Sequence, residues 1–370
     1  MEKHKDFTDW AISVGVKING VAPHHFPGRG LGIIAEKELK AGSTIVSVPL
    51  TALRTAKTVP KRISDPIGPI TVHGLLAADL AMDESNRLWK AVLPSPQDFQ
   101  ESMPLMWDPQ LQDLLPEAAR TLLENQKRKL SKDWAAVSKA FPLLTYDEYL
   151  YTWLITNTRT FYFLSPSRKA KHPSNRDDCM ALNPFADYFN HTDDQGCEVT
   201  FGPNGYAITT DKPIKKGEEI YISYGNHSND FLLAEYGFIL EQNKWDEICL
   251  DSYILPLLSE TQKKTLKDAG FLGKYVLDKE TVCYRTQVAL RLLCLPLKDW
   301  RRFLNGHDDG KDQSAVDQLL LKILQPYSKT VEETIKSLAV LDCGLASQRE
   351  TLSRRWRQIH LILRSAIARI

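Results

Sequence analysis

Residues 183–191 read Asn-Pro-Phe-Ala-Asp-Tyr-Phe-Asn-His, and residues 214–225 read Ile-Lys-Lys-Gly-Glu-Glu-Ile-Tyr-Ile-Ser-Tyr-Gly. The first segment ends in a polar cluster, whereas the second alternates apolar and polar residues before it ends on Tyr-Gly. Between them, residues 205–210 (Gly-Tyr-Ala-Ile-Thr-Thr) show a similar alternation. Such alternation predicts strands, and the glycines and prolines mark the turns. The stretch 183–238 therefore indicates a small β-rich core beside a polar cluster.

A glycine-rich segment precedes this core. Residues 27–35 read Pro-Gly-Arg-Gly-Leu-Gly-Ile-Ile-Ala, with three glycines in five residues before a β-branched run. Because glycine has no side chain, the backbone at such a segment can approach a ligand closely. Taken alone, the segment is more typical of a hairpin turn than of a binding site.

In company and in this order, these segments resemble the SET-domain methyltransferases. The motif Asp187-x-x-Asn190-His191, followed by Tyr224-Gly225 and by Tyr236-Gly-Phe, most resembles the branch that contains the Rubisco large-subunit lysine methyltransferase and the actin-histidine methyltransferase. This resemblance implies an α+β fold. It consists of a SET core of small curved sheets with a threaded crossing, a helical insertion, and an all-α C-terminal substrate-binding domain.

The predicted domain organisation follows from that resemblance and from helical periodicity. A chain of 370 residues favours two or three domains. We expect an N-terminal helix and the first part of the SET core at 1–69, the helical insertion at 70–165, the second part of the core at 166–242, and the helical domain at 243–370. Apolar spacing predicts helices at 73–82, 118–140, 146–163, 259–267, 278–293, 315–324, 330–341 and 348–370.

The resemblance also implies S-adenosyl-L-methionine as the cofactor. The residues that match the cofactor-contacting positions of the family are Arg29, Gly30, Leu31, Gly32, Arg159, Asp187, Asn190, His191 and Tyr224. A partly buried arginine can hold the cofactor carboxylate through a bidentate pair, although Arg159 taken alone is far more typical of the polar face of a helix. We expect Asp187 to order the turn, and His191 is as typical of an architectural residue as of a catalytic one.

Two tyrosines are the predicted catalytic residues. Methyl transfer from a sulfonium to an amine needs a neutral nucleophile, alignment, and surroundings that tolerate shifting positive charge. The hydroxyl of Tyr224 can orient the incoming amine, while its ring excludes water. Tyr236 matches a second channel tyrosine of the lysine-methylating members, whereas the actin-histidine enzyme has a smaller residue there. Tyr236 therefore favours lysine as the acceptor.

Composition limits the other functions. The formal net charge is +1, which gives no general attraction to nucleic acid or to a membrane surface. The six cysteines show no zinc-ligand spacing, so we predict no metal site and free thiols. The charged start lacks the apolar core of a secretory signal and no stretch reaches the length of a membrane span, so cytoplasm or nucleus is expected.

The sequence thus predicts an S-adenosylmethionine-dependent N-methyltransferase that acts on a lysine of a non-histone protein. We expect this substrate to dock on the SET core and the C-terminal helical domain of a monomeric enzyme. Two alternatives stay open. One keeps the fold and cofactor but methylates a histidine or a small-molecule amine, and the other is a non-catalytic SET-fold interaction protein.

Overall fold

A computed structural model describes residues 1–27, 29–83, 87–164, 179–194, 196–307, 310 and 312–370. The chain forms two compact units. The first comprises 1–99 and 124–226, and the second comprises 100–123 and 227–370. The finer boundaries predicted at residues 69, 165 and 242 stay a prediction.

Ten described strands belong to the first unit. In chain order they are β1 (Lys17–Ile18), β2 (Val21–Phe26), β3 (Gly30–Ala35), β4 (Thr44–Val48), β5 (Thr160–Tyr162), β6 (Met180–Leu182), β7 (Asn190–His191), β8 (Glu198–Gly202), β9 (Gly205–Thr209) and β10 (Glu219–Ile222). They form two four-stranded sheets, β1-β4-β9-β8 and β2-β3-β10-β7, and a β5-β6 ladder. Several of their β-branched residues form part of the core, and Ile33, Ile45, Ile208 and Ile220 are buried.

The helices are spread over the whole chain. In chain order they are α1 (Glu2–Ser13), α2 (Lys61–Ile67), α3 (Val72–Met82), α4 (Arg87–Lys90), α5 (Pro96–Ser102), α6 (Pro109–Asp113), α7 (Glu117–Ala140), α8 (Tyr146–Arg159), α9 (Asn229–Tyr236), α10 (Asp251–Ile254), α11 (Glu260–Asp268), α12 (Tyr284–Cys294), α13 (Leu297–Leu304), α14 (Gln313–Val340) and α15 (Ala346–Arg369). No helix within the described ranges is long and apolar enough to cross a membrane.

One predicted helix is too long. Helix α8 begins with a capping box, in which Thr145 and Glu148 satisfy each other's backbone N–H groups. It ends at Arg159 rather than Phe163, because Thr160–Tyr162 pairs with β6 as an antiparallel strand. The Thr-Phe-Tyr run consists of residues that favour strands, and the pairing partner lies about twenty residues further along the chain.

An aromatic cluster lies behind the polar motif of the first unit. Phe7 of α1 makes an edge contact with the ring of Tyr188 at 5.6 Å between centroids and stacks on Trp89 of α4 at 6.3 Å. The imidazole Nδ1 of His4 is 2.9 Å from the Tyr188 hydroxyl. These contacts hold the short 3-10 turn Ala186–Tyr188, which leads into β7.

The second unit is mainly helical, as predicted for the C-terminal region. It also contains a two-stranded ladder of β11 (Glu247–Cys249) and β12 (Val276–Asp278). Helix α12 therefore begins at Tyr284 and not at residue 278, since 276–278 is strand. The two helices predicted at 315–324 and 330–341 are one helix, α14, which continues through Pro326. Helix α13 was not predicted.

Candidate active site

Residues 30–35 of the glycine-rich segment form strand β3, which pairs with β2 in a hairpin. Gly30 has a φ of +76°, a left-handed conformation that glycine adopts without steric strain. Gly32 has an ordinary φ, but a Cβ built on it would lie 2.7 Å from Asn190 Nδ2 and 2.8 Å from Glu219 Oε1. Close approach of other groups therefore requires glycine at position 32.

The Asn-His pair lies beside this hairpin. Strand β7 pairs with β10 in parallel, with Asn190 opposite Tyr221 and His191 opposite Ile222. Strand β10 also pairs with β3, which carries Leu31 and Gly32. The amide of Asn190 donates one hydrogen bond to Leu31 O at 3.1 Å and one to Glu219 Oε1 at 2.8 Å. The structure thus brings Leu31, Gly32 and Asn190 together.

His191 supports Tyr224 through two contacts. The backbone N–H of Tyr224 donates to His191 Nδ1 at 3.1 Å, and the two rings stack at 5.0 Å between centroids. Because Nδ1 accepts this bond, it carries no proton, and the proton of the neutral ring is assigned to Nε2. His191 is buried. This geometry is that of a residue that holds the backbone of Tyr224.

The Tyr224 side chain is fixed at both ends. Its hydroxyl donates to the carbonyl oxygen of Phe189 at 2.7 Å, while its backbone is held by His191. Since the hydroxyl proton is used in this bond, the phenol oxygen presents an acceptor to any further polar group. A half-buried hydroxyl beside a backbone carbonyl can hold an amine through hydrogen bonds.

Arg159 and Asp187 contact each other near the same turn. The guanidinium Nη1 of Arg159 donates to Asp187 O at 2.6 Å and lies 3.6 Å from Asp187 Oδ2. The Asp187 side chain is only 3% exposed and its Oδ2 also accepts from Trp89 Nε1 at 3.2 Å. Burial raises the pKa of Asp187, although the positive charge of Arg159 opposes that effect. Asp187 thus contacts Trp89 and Arg159, as expected of a residue that orders the turn.

Arg29 lies beside the glycine segment, and its predicted contact with the cofactor stays a prediction. Its side chain is 58% exposed and Nη2 pairs with Glu219 Oε2 at 2.8 Å. The guanidinium also lies over the rings of Phe26 and Tyr221, at 5.8 Å and 5.7 Å from their centroids. In the structure, Arg29 therefore lies at the edge of the glycine segment and is held by Glu219.

The second predicted catalytic tyrosine belongs to the second unit. Tyr236 is the last residue of α9, which ends at Gly237 in the left-handed conformation. Its ring lies 6.4 Å from Phe231 and 6.2 Å from Phe238, and burial raises its pKa to about 12. Tyr224 lies in the first unit, so the pairing of the two tyrosines in one channel stays a prediction.

Two residues at the site were missed from the sequence. Glu219 meets Arg29, Asn190 and Tyr221, and strand alternation was the available signal, because it places Glu219 and Tyr221 on one face of β10. Trp89 donates to Asp187 from a four-residue helix, and no sequence pattern indicated that contact. Within the described residues, no group of three or more His, Cys, Asp or Glu side chains is arranged to hold a metal ion.

Two family models match consecutive parts of the chain. The SET domain family matches residues 30–225, and the family described as the ribosomal lysine N-methyltransferase 2 C-terminal domain matches residues 246–369. A SET domain-containing protein 4 of Mus musculus is 26% identical over 368 residues, covering 90% of this chain and 83% of that protein. A ribosomal lysine N-methyltransferase of Schizosaccharomyces pombe is 27% identical over 323 residues, covering 83% of this chain and 82% of that protein.

Among solved structures, the SET domain of Rubisco LSMT bound to lysine and AdoHcy matches with a TM-score of 0.66 at 18% identity. The match covers 99% of this chain and 90% of that one. The predicted fold class is therefore confirmed, whereas membership of the particular branch named from the sequence is not. Because the SET domain family matches more than half of the residues, the chain belongs to the SET-domain protein-lysine methyltransferase family.

Proposed function

We propose that the protein transfers methyl groups from S-adenosylmethionine to a lysine of a non-histone protein, and that ribosomal proteins are the first candidates. Relatives from Schizosaccharomyces pombe and Saccharomyces cerevisiae are named ribosomal lysine N-methyltransferases. The C-terminal match at residues 246–369 is to a domain of such an enzyme. The similar Rubisco LSMT structures contain lysine, methyllysine, AdoMet or AdoHcy.

The described residues suit the amino-acid end of this cofactor. Both amide protons of Asn190 are donated within the protein, so its Oδ1 is left as an acceptor for an ammonium group. Arg159 uses only Nη1 in its contacts with Asp187, so the other guanidinium nitrogens can bind a carboxylate. The bare Cα of Gly32 lets the Asn190 amide lie close to the backbone.

The geometry of Tyr224 is the observation that supports catalysis most directly. When bound, the cofactor would supply a methyl group on a sulfonium centre; a neutral amine would attack the methyl carbon in line, so that the C–N bond forms as the C–S bond breaks and the thioether leaves. Tyr224 orients that amine, because its hydroxyl is fixed on Phe189 O and its backbone on His191 Nδ1. The oxygen of Tyr224 and the carbonyl of Phe189 also place partial negative charge beside the migrating positive charge. The lysine must arrive deprotonated, which desolvation of the amine favours.

The choice of lysine rests on Tyr236 and on the named relatives. A half-buried phenol with a raised pKa stays protonated at neutral pH and offers an apolar wall to a lysine stem and a hydroxyl to its amine. A histidine or small-molecule acceptor, or partner capture without turnover, remains the alternative. Docking of the protein substrate on the SET core and the helical domain, a monomeric enzyme and a cytoplasmic or nuclear location belong to the same proposal.

A labelling experiment tests the proposal. Purified enzyme and the Tyr224→Phe variant are incubated with radiolabelled S-adenosylmethionine and purified ribosomes or ribosomal proteins, and labelled bands are sequenced by mass spectrometry. We expect label on lysine with wild type and at least about a 100-fold lower rate with Tyr224→Phe, which keeps cofactor affinity. Label on histidine would show that the acceptor is histidine and not lysine. Label only on non-ribosomal proteins would show that the substrate is not a ribosomal protein. Cofactor binding without any transfer would favour the interaction protein.

A further inference from the structure

Glu219 connects three segments of the candidate active site. It is the first residue of β10 and its side chain is only 4% exposed. Its Oε1 accepts from Asn190 Nδ2 at 2.8 Å. Its Oε2 accepts from the Tyr221 hydroxyl at 2.6 Å and pairs with Arg29 Nη2 at 2.8 Å. Both carboxylate oxygens are therefore engaged, and all three partners donate.

This arrangement decides which way the Asn190 amide points. The amide nitrogen donates to Leu31 O and to Glu219 Oε1, and both of these atoms only accept. A flipped amide would place Asn190 Oδ1 against a carbonyl and a carboxylate and would lose two hydrogen bonds. Glu219 thereby holds Oδ1 in the direction away from Leu31 and Glu219, where it has no hydrogen-bond partner among the described residues.

Glu219 also shapes the floor beneath the glycine segment. The space that a Cβ on Gly32 would occupy is bounded by Glu219 Oε1, Asn190 Nδ2 and the ring of Phe26. The carboxylate and the amide are packed against the bare Cα, so a shift of either group changes the surface that a ligand meets. Arg29, stacked between Phe26 and Tyr221, covers the solvent side of the same carboxylate.

We propose that Glu219 is a positioning residue for cofactor recognition, which acts through Asn190 by presenting its Oδ1 as an acceptor for the ammonium group of the cofactor. This inference rests on the proposed function and assigns a role to a residue outside the predicted site. It implies selectivity for ligands that carry an amino-acid end. A nucleoside thioether without that end gains nothing from Glu219.

The test compares two neighbouring glutamates. Glu219→Gln is isosteric, but its NH₂ either faces the donor Asn190 Nδ2 or faces Arg29 and displaces the cation that holds the side chain in place. Glu218→Gln is the matched control, because Glu218 is exposed and its side chain accepts from the turn N–H of Lys215, a bond that a glutamine oxygen can also accept. Calorimetry measures the affinity of wild type and of both variants for two ligands. These are S-adenosylhomocysteine and 5′-methylthioadenosine, which lacks the amino-acid end.

We expect Glu219→Gln to weaken the binding of S-adenosylhomocysteine about tenfold or more, which is the range for an unsatisfied buried polar group. The affinity for 5′-methylthioadenosine should stay within about twofold of wild type. Glu218→Gln should change neither. A double-mutant cycle with Asn190→Ala should be strongly non-additive, since both changes remove the same acceptor. If Glu219→Gln does not fold, Glu219→Asp keeps the charge, cannot span Asn190 and Arg29 together, and should show the same selective loss.

Equal weakening of both ligands, or no weakening of either, would overturn the positioning role while leaving the proposed function intact. Additive effects of Glu219→Gln and Asn190→Ala would also overturn it. If wild-type protein bound neither S-adenosylhomocysteine nor S-adenosylmethionine, the proposed function would fail first and the inference with it.

Discussion

Each of the two units contains a buried polar cluster around one charged residue, and the two clusters differ in their access to water. In the first unit, Glu219 pairs with Arg29, whose side chain is 58% exposed. In the second unit, Arg355 of α15 is fully buried, donating to Asp230 at 2.6 Å and to Asp246 at 2.7 Å. Loss of Glu219 leaves a cation that water can solvate, whereas loss of Arg355 leaves two carboxylates in the interior.

This difference suits the Arg355 cluster to stabilising the fold and the Glu219 cluster to binding a ligand. The Arg355 cluster joins α9 to α15 and to the loop before β11, and Asn229, Asn243 and Gln358 complete its hydrogen bonds. The charges of Arg355, Asp230 and Asp246 are paired with one another. The Glu219 cluster leaves one acceptor, Asn190 Oδ1, without a partner among the described residues. A satisfied cluster stabilises a fold, and an incomplete one can bind.

The largest expected effect is on Arg355. We expect Arg355→Met to lower the free energy of unfolding by about 3–5 kcal/mol, because Asp230 and Asp246 would stay buried without a cation. Chemical denaturation measures it. The adjacent Arg354→Met is the control, since Arg354 pairs with Glu241 at the surface and such pairs contribute about 0–1 kcal/mol. Equal losses of unfolding free energy in the two variants would show that burial does not make the Arg355 pairs more important for stability than a surface pair.

A second prediction concerns the floor of the Glu219 cluster. Gly32→Ala should lower the free energy of unfolding by about 1–3 kcal/mol, because its Cβ would overlap Asn190 Nδ2 and Glu219 Oε1. It should also weaken S-adenosylhomocysteine binding, measured by calorimetry. Gly202→Ala is the control, as a Cβ there meets nothing within 4 Å and its φ is not positive. A neutral Gly32→Ala in both assays would contradict the close packing.

Glu219 itself provides the direct contrast with Arg355. Glu219→Gln should lower the free energy of unfolding by about 1–2 kcal/mol, less than Arg355→Met, since it leaves one misplaced donor rather than two unpaired charges. Its effect on cofactor affinity should nevertheless be the larger of the two. Denaturation and calorimetry on the same preparations give both rankings. If Arg355→Met, while folded, reduced cofactor affinity more than Glu219→Gln did, the separation of the two roles would be wrong.

The smallest expected effect concerns a buried carboxylate with no ion-pair partner in the described part of the chain. Asp133 accepts from Thr71 Oγ1 at 2.8 Å, and burial raises its pKa above 3.8. The folded protein therefore binds this proton more tightly than the unfolded protein does. The free energy of unfolding should fall as pH rises from 3.8 through the raised pKa, and then level.

Asp133→Asn removes this dependence. Denaturation between about pH 4 and pH 7 should show the variant gaining stability relative to wild type as pH rises, by about 1 kcal/mol or less. Exposed Asp9→Asn should show no such gain. Parallel curves for wild type and Asp133→Asn would contradict the raised pKa.

Much of the site could be predicted from the sequence because its parts are short, contiguous and ordered. The glycine segment, the Asn-His pair and Tyr224 each combine a local backbone requirement with a chemical group, and the structure brings Leu31, Gly32 and Asn190 into contact. The ends of the helices were harder to predict from the sequence. Helix α8 stops at Arg159 because β6 captures the next residues, and α14 continues through Pro326 because packing outweighs the lost N–H.

The sequence by itself determined the family and the cofactor class, since the segments that carry the resemblance are short and ordered, and it predicts Tyr224 as the catalytic tyrosine. Only the tertiary structure showed that Glu219, and not its neighbour Glu218, orients Asn190 across 29 residues of chain. In the same way, it showed that Arg355 meets Asp230 across 125 residues. Two adjacent glutamates are chemically alike, and strand pairing decides which one enters the interior. Long-range pairs of charges depend on the path of the whole chain, which local patterns do not encode.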